Sequence, residues 1–112
     1  MKIKFTEIEI FKKAIKKQKI AQGDIKELKN ELRENPEKGD VIKNSGGLRK
    51  IRMAIENTGK SGGARIIYLY LALEEEIFLI TAYKKSNKED LTEADLKIFK
   101  KFVKAIKAGG LK

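Results

Sequence analysis

Arginine is scarce in this chain and unevenly placed. Only four of its 26 basic residues are arginine, and Arg49, Arg52 and Arg65 fall close together. Across residues 43–65, Lys43, Arg49, Lys50, Arg52, Lys60 and Arg65 face a single acid, Glu56. Arginine replaces lysine where a planar, bidentate grip on phosphate matters. In an extended segment Lys50 and Arg52 share one face, with Ile51 and Met53 on the other. Neighbouring cations without partners do not face a core, so Lys50 and Arg52 are expected on an open surface of a sheet. Arg65 begins the next strand-like run, in which Tyr68 and Tyr70 share a face. Tyr83-Lys84-Lys85 closes a third run, at a strand end from which side chains can reach across the same surface.

The remaining composition narrows the chemistry. With no Cys and no His, disulfides, thiolate zinc sites and imidazole bases are excluded. What is left is Lys, Arg, Tyr, hydroxyls and carboxylates, so no metal and no cofactor is expected. No GxGxxG precedes a helix and no GxxxxGK[ST] occurs, so Gly46-Gly47 and Gly62-Gly63 read as turns, not phosphate cradles. Glu74–Glu76 reads as a solvated acidic turn. The net charge of +10 favours a polyanionic partner. No apolar run approaches the ~20 residues of a membrane span, and residues 1–11 lack the pattern of a signal peptide.

The elements that must position these cations follow from periodicity. Residues 3–5 form a short extended segment. Thr6 is the expected N-cap of a helix through about Gln18, with Ile8, Phe11 and Ile15 at helical spacing. Asp24 and Glu27 fit a capping box for a second helix carrying Ile25, Leu28 and Leu32, which Asn35-Pro36 ends. A polar connection over 37–47 leads to three strand-like runs, Leu48–Ala54, Ala64–Ala72 and Ile77–Lys84, with a glycine-rich turn at 57–63. Thr92 and Asp95 then fit a capping box for a last helix with the stripe Leu96, Phe99, Phe102, Val103 and Ile106, ended by Gly109-Gly110. The expected fold is α+β in the order β-α-α-β-β-β-α. An N-terminal helical hairpin packs on a small, mostly antiparallel sheet, and 1–112 form a single domain.

Three ordered blocks carry a family likeness. Gly39-Asp40-Val41-Ile42 followed by Gly46-Gly47-Leu48-Arg49-Lys50-Ile51-Arg52, then Gly59-Lys60-Ser61-Gly62-Gly63-Ala64-Arg65-Ile66-Ile67-Tyr68, then Tyr83-Lys84-Lys85-Ser86-Asn87-Lys88-Glu89-Asp90-Leu91-Thr92, resemble the RelE/HigB toxins of bacterial type II toxin–antitoxin systems. The HigB-like branch is the nearest. The resemblance implies a RelE-like fold and a cytoplasmic toxin that binds the ribosomal A site and cleaves mRNA there. It implies neutralisation by a cognate antitoxin, in this branch a HigA-like helix-turn-helix protein, with DNA reached only through that complex. The working residues it implies are Lys50 and Arg52, Arg65, and Lys85 or Lys84.

In that setting the RNA supplies its own nucleophile, the 2′-hydroxyl. Lys50 is the expected base, with Arg52 and Arg65 beside it disfavouring its charged form. Arg65 and Arg52 clamp the phosphate oxygens, and Lys85 or Lys84 assists the leaving oxygen. Arg49 and Lys60 add backbone contacts, and Tyr68, Tyr70 or Tyr83 stacks on an exposed base. One departure stands out: many relatives carry a Tyr or His soon after the last strand, where this chain reads Asn87-Lys88-Glu89-Asp90-Leu91. Two other readings share the scaffold or the charge, a ParE-like inhibitor of DNA gyrase and a non-catalytic RNA-binding module.

Overall fold

A computed structural model describes residues 2–55, 63–86 and 90–110. The chain runs β1 (Lys4–Glu7), α1 (Glu9–Gln18), α2 (Gln22–Glu34), β2 (Asp40–Val41), β3 (Leu48–Met53), β4 (Ala64–Leu71), β5 (Glu76–Lys84) and α3 (Glu93–Lys107). The strands form one sheet in the order β1-β5-β4-β3-β2. β1 pairs in parallel with β5, and every other pairing is antiparallel. This is the expected α+β architecture with one strand added. β2 is only two residues long, too short for any alternation to announce it.

The inner strands explain themselves. Ala64 to Leu69 and Glu76 to Tyr83 are buried without interruption, the pattern of strands covered on both faces. The stripes of the helices, Phe11 and Ile15, then Ile25, Leu28 and Leu32, then Phe99, Val103 and Ile106, join the sheet in one core cluster. α3 lies against the β2–β3 connection. A Cβ on Gly46 would meet Val103 at 3.2 Å, and Lys107 Nζ donates to the Gly46 carbonyl at 2.8 Å.

Only one of the expected helix starts holds in detail. Thr92 Oγ1 accepts from Asp95 N at 3.1 Å and Asp95 Oδ2 accepts from Thr92 N at 2.9 Å, so the last capping box is formed. Thr6 is not a cap. β1 continues through Glu7 in register with β5, so the helix begins later, behind Ile8, and the Thr6 hydroxyl donates to Glu76 Oε2 at 2.7 Å. Asp24 lies inside the first turn of α2, whose N-cap is Ala21. The acidic run at 74–76 is only partly a solvated turn. Glu76 begins β5 and is 3% exposed, its carboxylate taken by Thr6. The glycine-rich turn lies outside the described residues, apart from Gly63.

Candidate active site

Cross-strand register assembles the basic residues. Arg52 of β3 stands opposite Arg65 of β4, and Arg65 stands opposite Tyr83 of β5. Directly opposed residues project to the same face, so these side chains form a row across the sheet. Lys50 shares that face, two positions from Arg52. Lys85, just past the end of β5, is tethered by its N–H to the Gly63 carbonyl at 3.0 Å. Lys50, Arg52, Arg65 and Lys85, with Lys38 and Asp90, line an open cleft of about 640 Å³.

Arg65 is the unusual member. It is only 6% exposed, and its Nη1 donates to the neighbouring Ala64 carbonyl at 3.3 Å. The ion pairs among the described residues join Lys29 to Glu7, Lys38 to Glu31, Arg49 to Glu37 and Lys50 to Asp90, and none includes Arg65. A largely buried guanidinium with no carboxylate partner is costly to keep. Its position at the floor of an open cleft, with Arg52 across the ladder, makes it a ready anion site. The sheet surface at this point is therefore less open than alternation suggested, because Arg65 is sunk into it while Arg52 is exposed.

Sequence reasoning missed Asp90. Its Oδ1 accepts from Lys50 Nζ at 3.1 Å, from the Leu91 N–H at 2.8 Å and from the Tyr83 hydroxyl at 3.4 Å. The Leu91 N–H, followed by Lys50, holds the Asp90 carboxyl below the ordinary aspartate range. Burial, reinforced by the Asp90 charge, pushes the Tyr83 phenol up to about 12. Lys50 thus donates to a carboxylate in the cleft, whereas a base has to accept. Asp90 lies 40 positions from Lys50, and the only local signal was its place two residues ahead of the α3 cap in the last block.

Several expected contacts lie elsewhere. Arg49, next to Lys50, projects to the opposite face, where Nη1 donates to the Glu37 and Gly39 carbonyls at 3.0 and 2.7 Å. Tyr68 is fully buried. Its hydroxyl donates to the Pro36 carbonyl at 2.8 Å and accepts from Gly39 N at 2.9 Å, so it is not a stacking platform. Burial raises its phenol above the usual tyrosine value. Tyr70 shares that face and is half-buried. Alternation contained this answer, because Tyr68 stands an odd number of residues from Arg65. Tyr83 is on the correct face but 3% exposed, which leaves no ring face for a base. Lys84 pairs with Ala64 and points away from Arg65; its backbone N–H donates to Gln18 Oε1 at 3.2 Å. Of the two alternatives, Lys85 is the one at the cleft. Lys60 lies outside the described residues. Among the described residues no group of three His, Cys, Asp or Glu comes together to hold a metal ion, and no helix is long and apolar enough to cross a membrane.

The comparisons agree with this architecture. A double arginine-to-alanine mutant of the Escherichia coli toxin RelE, in the free state, superposes with a TM-score of 0.53 at 20% identity, covering 80% of this chain and 90% of that one. The crystal structure of the isolated E. coli RelE toxin, in its P21 form, gives 0.49 at 17% identity, covering 90% of this chain and 99% of that one. At 20% identity the first likeness is one of fold. The family model for the RelE toxin of the RelE/RelB toxin–antitoxin system matches residues 1–110. With nearly the whole length matched, the chain belongs to the RelE toxin family, whose members are paired with an antitoxin.

Proposed function

We propose that this protein is a ribosome-dependent mRNA endoribonuclease of the HigB-like branch, held inactive by a HigA-like helix-turn-helix antitoxin. The observation that carries the reading is Arg65, a nearly buried guanidinium without a carboxylate partner among the described residues, with Arg52 opposite it on the ladder. Such a pair binds a phosphate without having to reorganise, which is the main source of electrostatic catalysis. Arg65 and Arg52 grip the non-bridging oxygens of the scissile phosphate, and Lys85 adds charge from the rim. The RNA 2′-hydroxyl attacks in line, so no hydrolytic water is needed. The ribosome fixes the mRNA in the reactive geometry, a contribution that side chains on so open a surface do not supply alone. The HigB-like assignment rests on the three sequence blocks, and the A-site location on the same likeness.

Primer extension on an mRNA in a translating extract tests the reading. Wild type is expected to produce cuts placed at codons, and Arg65→Ala to reduce them by about 10²–10³-fold, as for loss of a preorganised donor. Absence of cuts by the wild type, with inhibition of DNA gyrase supercoiling instead, replaces this reading with the ParE-like one.

A further inference from the structure

The donors around Asp90 converge on one oxygen. Lys50 Nζ, Tyr83 Oη and Leu91 N all reach Oδ1, and among the described residues no donor reaches Oδ2. The side chain is 63% exposed at the cleft rim, while that of Lys50 is 33% exposed. Among the described residues the carboxylate is thus anchored by one oxygen and unengaged at the other, on the surface that also carries Arg65 and Arg52. We infer that Asp90 is the general base of the cleavage reaction and that Lys50, its ion-pair partner, is the general acid.

This assignment rests on the nuclease reading above and sets the proton traffic within it. The 2′-hydroxyl proton passes to Asp90 Oδ2 as the 2′-oxygen bonds to phosphorus. The bond from phosphorus to the 5′-oxygen breaks, its electron pair leaving on that oxygen, which takes a proton from Lys50 Nζ. The products are a 2′,3′-cyclic phosphate and a 5′-hydroxyl. Asp90 is left as a neutral acid and Lys50 as a neutral amine. Their 3.1 Å separation lets rotation of the carboxyl group hand the proton back, which restores the ion pair for the next cut. The apical oxygens of an in-line displacement stand on opposite sides of phosphorus, so acid and base must be two different groups. An adjacent carboxylate and ammonium meet that requirement. The Tyr83 proton is committed to Oδ1, which leaves that phenol neutral and out of the transfer.

A sulfur substitution separates the two roles. In an mRNA carrying a bridging 5′-phosphorothiolate at the cut site, the leaving thiolate needs no proton. With the normal linkage, Asp90→Asn and Lys50→Ala should each slow single-turnover cleavage by about 10²–10⁴-fold. Binding of a 2′-O-methylated mRNA on the ribosome should change little for Asp90→Asn. The 5′-thio linkage should rescue Lys50→Ala and leave Asp90→Asn slow. Asp90→Glu, which retains a carboxylate, should recover most of the rate. Rescue of Asp90→Asn with none for Lys50→Ala, wild-type rates in Asp90→Asn, or equal losses in the Asn and Glu variants would overturn the assignment while leaving the nuclease reading intact. A wild type that cuts neither linkage removes the nuclease reading and these roles with it.

Discussion

Residues of one chemical type hold quite different offices in this molecule, and burial with hydrogen bonding tells them apart. Arg52, Arg65 and Arg49 were equivalent as sequence letters. Arg49 turned out to tie the α2–β2 connection to β3 through the Glu37 and Gly39 carbonyls, while Arg65 has no carboxylate partner among the described residues and lines an open cleft. The tyrosines divide in the same way. Tyr68 closes a buried link between the sheet and the Pro36–Gly39 segment, so Tyr68→Phe strands a donor and an acceptor. Denaturant unfolding should show a loss of about 1–3 kcal/mol. Cleavage per folded molecule, measured by primer extension, should stay at the wild-type level, which it would not if Tyr68 stacked on RNA.

Elements set the site by register, and register depends on close approaches that composition does not reveal. A Cβ on Gly63 would lie 2.2 Å from the Met53 carbonyl oxygen, at the end of the β3–β4 ladder that opposes Arg52 to Arg65. Gly63→Ala must therefore push the strands apart, at a cost of about 1–3 kcal/mol. It should also lower cleavage by displacing that pair. Gly23→Ala is the counterpart. Gly23 sits inside α2 with nothing within 4 Å of a new Cβ, so the change should stabilise the protein by up to about 1 kcal/mol. Urea titration of the two variants should give shifts of opposite sign. The β-bulge acts at this scale as well. Leu71 to Tyr68 oppose Glu76 to Leu79, and after the shift Ile67 to Ala64 oppose Thr81 to Lys84. Carried on unshifted, the first register would place Ala82 opposite Arg65; one extra residue in β5 puts Tyr83 there instead.

At the scale of the whole molecule, a net charge of +10 on 112 residues sets how it meets its partner. Half of the 22 lysines lie on the three helices, none of them in the cleft lining, and contribute a diffuse field. The cleft cations make specific phosphate contacts. Affinity of the wild type for ribosomes should fall by about a hundredfold between 50 and 200 mM salt if roughly four phosphates are neutralised. Arg52→Ala should reduce the slope of log affinity against log salt by about one. Filter binding across a salt series measures both, and a flat response would count against an electrostatic footprint.

The sequence by itself determined the class of fold, the α3 capping box, the three long strands and the group Lys50, Arg52 and Arg65. All of these follow from local periodicity, cap chemistry or the spacing of neighbouring letters. Only the tertiary structure decided that Thr6 belongs to a strand, that a two-residue β2 exists, and that Lys85 rather than Lys84 reaches the cleft. It alone brought Asp90 back to Lys50. The physical reason is common to these cases. Parallel pairing, a bulge and a contact across 40 residues arise from where the chain returns in space, and neither alternation within a strand nor the period of a helix encodes that return.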